Sequence, residues 1–300
     1  MREVVYVAGH AGLVGAALCR ALGPGVKMYS RSELDLRDGR AVDEAFLQMR
    51  PTQVYLAAAK VGGIQANTDS PANFIRDNLL IQTNVIHACH LQGAKLLLLG
   101  SSCIYPRLAP QPMPESALGT GSLEPTNEAY AWAKLAGIAT VKAYRKQYGL
   151  RGICIMPPNL YGPGDNFDPQ ASHAVASLLR RCHEAKLSGA KELVVWGTGN
   201  ARREYMHVDD LANACLFLMK KYDGMEILNV GTGKDMTIRE LAEAVKDVVG
   251  YDGDIRFDAS KPDGTPRKLL DISRMTTLGW RAKRSFRDGL EETYEWWRST

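Results

Sequence analysis

Tyr130 and Lys134 form a pair that could act in proton transfer. They lie four residues apart in a segment that predicts a helix, and this spacing places a phenol and an ammonium group on one helical face. A nearby ammonium charge stabilises phenolate and should lower the tyrosine pKa from its usual value of about 10 towards neutral pH. Such a tyrosine can donate a proton to a carbonyl oxygen.

Ser101 adds weight to this pair. By itself, a tyrosine followed by a lysine at this spacing more often marks an exposed helix face. Ser101 comes directly after an apolar run that predicts a buried strand, and ligands of doubly wound sheets bind at the carboxyl ends of strands. Its hydroxyl could hydrogen-bond to the carbonyl that Tyr130 protonates. The three residues together predict a site that acts on a carbonyl group.

A glycine-rich loop near the N-terminus is the second motif. Gly9, Gly12 and Gly15 have the spacing G-x-x-G-x-x-G. The run Val4–Ala8 before them predicts a strand, and Leu13–Leu22 predicts a helix. In that context, backbone N–H groups can approach a pyrophosphate at the helix N-terminus. A tight strand-to-helix turn is the alternative, but the flanking elements favour dinucleotide binding.

The end of the second predicted strand indicates which dinucleotide binds. A site selective for NAD needs an acidic residue there to accept both ribose hydroxyls, whereas this strand, Val26–Ser30, is followed by Arg31. Arginine suits a 2′-phosphate, so the sequence favours NADPH. Two alternatives stay open: Arg31 could be a solvated surface charge, and Asp35 could lie near the adenine or the ribose.

Strand and helix patterns alternate through the first half of the chain. This alternation indicates βαβ units and predicts an α/β fold with a Rossmann-type, doubly wound parallel sheet. The long loop Tyr105–Pro125 is rich in Pro, Gly and Ser, and we expect it beside the active site. The further predicted elements are strands Val54–Ala58, Leu96–Gly100 and Ile153–Met156 and helices Ala41–Met49, Pro71–Gln92 and Asn127–Tyr148.

The later segments are too interleaved for a clean linker between domains. We expect residues 1–165 to form mainly the NADP-binding domain and residues 166–300 mainly a smaller substrate-binding lobe, with some segments returning to the sheet. The predicted elements are helices Ala174–Lys186, Asp209–Lys221 and Ile238–Val249 and strands Leu193–Trp196, Ile227–Val230 and Ile255–Phe257.

Composition narrows the class of protein. The 300 residues are 45% hydrophobic, enough for a sizeable core, and no apolar run approaches the roughly 20 residues of a membrane span. The net charge of +4 comes from scattered basic residues, which favours small anionic ligands over nucleic acid.

The six cysteines have no metal-ligand spacing, so we expect no metal site and no disulfide framework. The N-terminus does not resemble a signal peptide, so we expect a cytoplasmic protein.

The glycine loop and the set Ser101, Tyr130 and Lys134 resemble the extended short-chain dehydrogenase/reductase family over essentially the whole chain. Within it, four segments in the same order are similar to the GDP-L-fucose synthase family. These segments are Leu56–Ile64, Gly100–Pro106, Asn159–Pro163 with Asp165–Phe167, and Lys261–Lys268.

The resemblance implies NADPH-dependent 3,5-epimerisation and 4-reduction of GDP-4-keto-6-deoxy-D-mannose to GDP-L-fucose. It implies that Ser101, Tyr130 and Lys134 form the reductase triad, while Cys103 and His173 move protons during epimerisation. This division is chemically sensible, because a ketone at C4 acidifies the hydrogens on C3 and C5. Outside this context, Cys103 would more often be core packing and His173 the first residue of a helix.

The resemblance also implies two sets of binding residues. For the substrate, an arginine suits the diphosphate and an indole can stack on the base, although Arg180 and Arg202 compete with their neighbours for the first role. The substrate set is Arg181, Trp196, Arg203, Asp263 and Lys268. The cofactor set is Gly9, His10, Ala11, Gly12, Leu13, Val14, Gly15, Arg31, Asp35, Leu36, Ala57, Ala58, Leu99, Gly100, Ser102, Lys134, Pro157, Asn159, Leu160 and His173.

Two positions depart from the family pattern. Ala11 stands where the family often has arginine, which leaves Arg31 as the main candidate for the 2′-phosphate and makes NADPH preference less extreme. Pro158 stands where the family has threonine, which removes a hydroxyl and a backbone donor near the nicotinamide.

Other functions fit the same residues. A related GDP-sugar epimerase/reductase, making GDP-colitose or a GDP-6-deoxy-heptose, could share every catalytic residue. A non-catalytic nucleotide-binding protein could keep the fold without the reaction. The resemblance further implies a homodimer built from helices Pro71–Gln92 and Asn127–Tyr148.

Overall fold

The computed structural model describes residues 3–169, 171–261 and 263–300, and its centre is a parallel β-sheet. Two smaller sheets lie in the second half of the chain. In chain order the strands are β1 (Val5–Ala8), β2 (Gln53–Leu56), β3 (Lys95–Leu99), β4 (Gly152–Met156), β5 (Asn159–Tyr161), β6 (Glu192–Trp196), β7 (Arg202–His207), β8 (Leu228–Asn229), β9 (Asp235–Thr237), β10 (Asp254–Asp258) and β11 (Arg267–Lys268).

Several helices begin and end where the sequence predicts, because local signals mark their ends. Thr237 caps α8 through a reciprocal capping box with Glu240, and Gly93 ends α4 in the left-handed conformation that glycine adopts without strain. No described helix combines the length and apolar composition of a membrane span. The helices are α1 (Leu13–Leu22), α2 (Gly39–Met49), α3 (Ile64–Asp69), α4 (Pro71–Gln92), α5 (Glu128–Tyr148), α6 (Ala174–Ser188), α7 (Val208–Lys221), α8 (Ile238–Val249), α9 (Ser273–Thr277) and α10 (Phe286–Ser299).

The central sheet has the order β1-β2-β3-β4-β8, with every pair parallel. Side chains alternate between its faces, so Leu96 and Leu98 of β3 enter the core beneath α2, α4 and α5. Leu97 and Leu99 enter the opposite core, beneath α1 and α7. Helices therefore cover both faces, and the predicted doubly wound α/β fold is confirmed.

The prediction of a strand over Val26–Ser30 is wrong. Only Lys27 pairs with the sheet, through an isolated parallel bridge to Tyr6 in which the Lys27 N–H donates to Val5 O over 2.8 Å. The chain leaves the sheet edge at Ser30, whose carbonyl accepts hydrogen bonds from the N–H groups of Glu33 and Leu34. Backbone groups that would pair in a longer strand instead form hydrogen bonds within a local turn. This turn exposes Arg31 to solvent.

The sequence analysis missed strands β5 and β7, which pair in parallel and register Asn159 with Tyr205. Strand β7 begins with Arg202, Arg203 and Glu204, so its sequence lacks the apolar alternation that identifies a strand. Tertiary contacts create this strand, since β5, β9 and β11 all pair with β7.

Elements from the second half of the chain belong to two different parts of the structure. Helices α6, α8 and α10 pack around a separate core with Tyr161, Tyr205 and the strands β6 and β10. Strand β8 instead pairs with β4 and completes the central sheet. Residues far apart in the sequence therefore frame the edge of the sheet where the candidate site lies.

Glu204 fixes β7 to the loops around it. Its carboxylate is fully buried and accepts hydrogen bonds from the N–H groups of Thr232, Gly233 and Leu270 over 2.6, 2.9 and 2.9 Å. Burial raises the pKa of Glu204, and these backbone donors oppose the shift by stabilising its charge. The carboxylate thus holds in place the strand that carries Arg203 and Tyr205.

Candidate active site

Helix α5 and strand β3 bring Ser101, Tyr130 and Lys134 together. Tyr130 lies in the first turn of α5 and Lys134 one turn later, with the Lys134 ammonium 5.9 Å from the centre of the tyrosine ring. Lys134 Nζ donates to the carbonyl of Leu99, at the end of β3, over 2.8 Å. Ser101 begins the next turn and hydrogen-bonds to Tyr130 through its side chain. This geometry can present two hydroxyl groups to one carbonyl oxygen.

Burial, rather than charge pairing, sets the pKa values of this pair. Desolvation raises the pKa of Tyr130, the nearby Cys103 raises it further, and the Ser101 hydrogen bond lowers it. Desolvation also lowers the pKa of Lys134 to about 8. The pKa of Tyr130 therefore does not fall towards neutrality as expected, because desolvation of the phenol outweighs the stabilisation that the Lys134 charge can give. Tyr130 is held in its protonated form, which is the form a proton donor needs.

Cys103 and His173 come from different elements. Cys103 lies half-buried in the turn after β3, and its N–H donates to the Ser101 hydroxyl over 3.1 Å. Cys103 influences the pKa of both Tyr130 and Arg203, so it lies near both residues. His173 is the N-cap residue of α6, and partial desolvation lowers the pKa of its imidazole. The geometry gives Cys103 access to the ring that Tyr130 would hold, and the role of His173 stays a prediction.

The glycine loop has the geometry of a dinucleotide cradle. Gly9 has a φ of +85°, and a Cβ on it would lie 2.6 Å from the backbone of Ala58. A Cβ on Gly15 would lie 2.0 Å from the carbonyl oxygen of Gly9. Gly12 is the N-cap residue of α1, and in the described chain no capping side chain accepts a hydrogen bond from the first N–H groups of this helix. Such a terminus fits a pyrophosphate.

The other predicted cofactor residues line the same edge of the sheet. They follow the carboxyl ends of β1 to β4, where parallel strands present their ligand sites. The buried Nδ1 of His10 has no hydrogen-bond partner among the described residues, which fits a polar ligand beside the loop. After β1 come Ala11, Leu13 and Val14; after β2, Ala57 and Ala58; at β3, Leu99, Gly100 and Ser102; and after β4, Pro157, Asn159 and Leu160.

Arg31 and Asp35 lie in and just after the turn that follows Ser30. Arg37 hydrogen-bonds both carboxylate oxygens of Asp35 through Nε, over 2.9 and 3.1 Å, and lowers the pKa of Asp35 to about 2. The Arg31 side chain is 73% exposed, with its Nε 3.9 Å from Asp35. Leu36 is buried in the core. Asp35 is thus committed to Arg37, whereas the Arg31 guanidinium can reach a phosphate.

Replacing Arg31 by alanine should weaken NADPH binding by about 10- to 100-fold and leave NADH binding almost unchanged, because only NADPH carries the 2′-phosphate. Titrations of both cofactors by fluorescence would measure this. Arg40→Ala is a matched control, since Arg40 is an exposed arginine paired with Glu44 on α2. Equal losses for NADPH and NADH would show that Arg31 is structural.

Arg203 is the arginine of β7 that faces the candidate site. Burial lowers its pKa, and the neighbouring Tyr205, Cys103, Asp263 and Glu124 oppose that shift. Its neighbour on the other face of the strand, Arg202, instead pairs with Asp235 over 3.0 Å. Side chains alternate between the two faces of β7, so Arg202 and Arg203 project in opposite directions. The sequence alone does not show which of these two arginines could bind the substrate diphosphate.

The arginines of α6 differ in their partners. The Arg181 guanidinium donates to the carbonyl of Val194 on β6. Arg180 lies 3.5 Å from Glu184, and its buried Nε has no hydrogen-bond partner in the described ranges. Both arginines therefore remain candidates for a phosphate contact.

The other predicted substrate residues lie around β6 and β11. Trp196 is 69% exposed at the end of β6, with Lys261 Nζ 5.5 Å from its ring, and so offers an open stacking surface. Asp263 accepts hydrogen bonds from the N–H and hydroxyl of Thr198 over 2.7 and 2.6 Å, so its carboxylate holds the turn after Trp196. Lys268 registers with Arg203 on the neighbouring strand.

Glu124 and Tyr205 lie near Arg203, and the sequence analysis identified neither of them as a site residue. Glu124 is the last residue but one of the Tyr105–Pro125 loop, and its carboxylate lies 3.6 Å from the Arg107 guanidinium. The position of the loop beside the site, predicted from its length and composition, was the signal that could have identified Glu124. Tyr205 had no such signal, because its strand was not recognised.

The chain is similar to known proteins in sequence and in fold. A family model described as the NAD dependent epimerase/dehydratase family matches residues 5–231. The chain is 57% identical to GDP-L-fucose synthase 1 of Arabidopsis thaliana over 298 residues, covering 98% of this chain and 92% of the relative. It is 52% identical to GDP-L-fucose synthase of Escherichia coli strain K12 over 309 residues, covering 98% and 96%. It also resembles a solved GDP-mannoheptose C4 reductase from Campylobacter jejuni with NADP bound, with a TM-score of 0.92, 36% identity and 99% of each chain covered.

Proposed function

Because the chain belongs to the NAD dependent epimerase/dehydratase family, we infer that it converts GDP-4-keto-6-deoxy-D-mannose to GDP-L-fucose, by 3,5-epimerisation and 4-reduction with NADPH. The observation that carries this function is the convergence of Ser101, Cys103 and Tyr130 at the end of β3. One carbonyl held there is within reach of two hydroxyl groups and a thiol. The NADP in the Campylobacter jejuni structure supports the choice of cofactor.

Epimerisation begins with the C4 carbonyl oxygen between Ser101 and Tyr130. Hydrogen bonds from these hydroxyls stabilise the enolate that forms when a proton leaves C3 or C5. Cys103 is assigned to remove that proton on one face of the ring, and His173 to return a proton on the other. Because one ketone activates both carbons, the same groups can invert C3 and C5 in turn.

Reduction uses the same carbonyl. Bound NADPH would supply the hydride to C4, and the residues after β1 and β2 that form the glycine cradle would hold it. Tyr130 gives its proton to O4, leaving phenolate. Lys134, with a pKa of about 8, is mostly ammonium at neutral pH and stabilises that phenolate. Solvent then returns a proton to Tyr130.

The substrate diphosphate fits the arginine-rich side of the site. Arg203 lies near Cys103, and Arg181 belongs to the helix that His173 caps. Guanidinium groups bind phosphate oxygens through paired hydrogen bonds, and the exposed Trp196 can stack on a base. Lys268 lies beside Arg203 on β11, while Asp263 positions the turn next to Trp196.

The test of this function is identification of the product by NMR. The chain, incubated with NADPH and GDP-4-keto-6-deoxy-D-mannose, should yield GDP-L-fucose with inverted configurations at C3 and C5. A parallel incubation with a GDP-linked 4-keto-heptose controls for the related reductases. Preferential turnover of the heptose, or of a substrate leading to GDP-colitose, would assign one of those activities instead. NADPH binding without oxidation by any of these substrates would indicate a non-catalytic protein.

We also propose that the protein is a cytoplasmic homodimer. All six cysteines are free thiols, which agrees with a reducing compartment. Helices α4 and α5 present a cluster of aromatic rings, with His90 stacked on Tyr148 at 4.4 Å and Leu91 55% exposed. An apolar and aromatic face of this kind suits a second copy. A monomeric mass in sedimentation would contradict the dimer.

A further inference from the structure

Tyr205 has a buried hydroxyl that the protein does not satisfy. The residue is 6% exposed, and its Oη has no hydrogen-bond partner within residues 3–169, 171–261 and 263–300. A buried hydroxyl without a partner destabilises a fold, so such a group needs an explanation. Neither the epimerisation nor the reduction proposed for this site uses the Tyr205 hydroxyl.

A second tyrosine in the same core shows that the packing can satisfy a phenol. Tyr161 lies in the hydrophobic cluster that also contains Tyr205, and both rings contact Phe286, with centroid distances of 5.2 and 5.9 Å. The Tyr161 hydroxyl donates to the carbonyl of Phe286 over 3.2 Å. The core therefore anchors both rings but provides a hydrogen bond to only one of the two hydroxyls.

The unsatisfied hydroxyl lies beside Arg203. Tyr205 and Arg203 are two residues apart on β7, so their side chains project to the same face of the strand. Arg203 is in turn close to Cys103, which we assign to the sugar ring. A phosphate held by Arg203 would thus be the one attached to the sugar.

We propose that the Tyr205 hydroxyl binds the sugar-linked phosphate of the substrate, beside Arg203. This inference rests on the proposed function. A phosphate oxygen only accepts hydrogen bonds, so the phenol acts as the donor next to the guanidinium. The ring is already fixed against Phe286, so little further ordering of the tyrosine side chain opposes binding.

The test uses the NADP-loaded enzyme with GDP as the probe, and compares Tyr205→Phe with the matched control Tyr161→Phe. In Tyr205→Phe, calorimetry should give a Kd for GDP about tenfold higher, the sugar-nucleotide KM should rise by a similar factor, and NADPH affinity should not change. The effect should lie in KM more than in kcat. Its melting temperature without GDP should stay the same or rise, because no intramolecular hydrogen bond is lost.

Tyr161→Phe should do the opposite, lowering the melting temperature and leaving the GDP Kd unchanged, because its hydroxyl bonds within the protein. The inference is overturned if Tyr205→Phe binds GDP as the wild type does, or if it lowers the melting temperature as Tyr161→Phe does. Failure of the wild type itself to bind GDP would overturn the proposed function, an outcome that the variants do not influence.

Discussion

Tyr130→Phe should lower the rate of NADPH oxidation by about 10²- to 10⁴-fold while NADPH affinity stays close to that of the wild type. The substitution removes the one hydroxyl assigned as proton donor to O4. It leaves the ring in place, so little packing is lost. Single-turnover oxidation of NADPH by the keto sugar, together with cofactor titration, separates these two effects.

Lys134→Met is the companion variant and should impair both reduction and cofactor binding. The Lys134 ammonium stabilises phenolate, and the family resemblance gives it a second contact, with the nicotinamide ribose. In the wild type, reduction should slow as the pH rises through about 8, because Lys134 then loses the charge that stabilises phenolate. Near-normal turnover by Tyr130→Phe would move the role of acid to another residue.

Cys103→Ala should separate epimerisation from reduction. The thiol lies two residues beyond Ser101 and next to Tyr130, where it can reach the sugar ring, yet it belongs to no part of the triad. In D₂O the wild type should place deuterium at C3 and C5, and the variant should lose most of that exchange. It should still bind NADPH and slowly form an unepimerised 6-deoxy sugar nucleotide. NMR of the product reads both outcomes.

Two further variants sharpen this experiment. His173→Asn should slow inversion of C3 and C5 while deuterium exchange partly survives, because this variant keeps the base, Cys103, and removes the imidazole acid. Cys215→Ala is the control, since Cys215 is a buried cysteine of α7 in the core on the opposite face of the sheet from α5. It should leave exchange at the wild-type level. Fully epimerised product from Cys103→Ala at the wild-type rate would reduce Cys103 to a packing residue and require another base.

The parts of the site that the sequence predicts well depend on short stretches of chain. The pair Tyr130 and Lys134 lies on one helical face because the period of an α-helix requires it. The glycines at positions 9 and 15 are needed because backbone atoms approach too closely for a Cβ. The bounds of α1, α4 and α8 match the predicted ones, since apolar periodicity and local capping signals mark them.

The fold class, the glycine loop and the spacing of Tyr130 and Lys134 were therefore predictable from the sequence, because helical period, strand alternation and glycine geometry act over a few residues. The sequence could not show which arginine lies near Cys103, because β7 becomes a strand through its partners β5, β9 and β11. The same holds for the direction of the Tyr130 pKa, which depends on burial, and for the Tyr205 hydroxyl, whose lack of a partner depends on how distant segments pack. Desolvation and hydrogen-bond satisfaction are properties of the whole packed chain, and no local pattern encodes them.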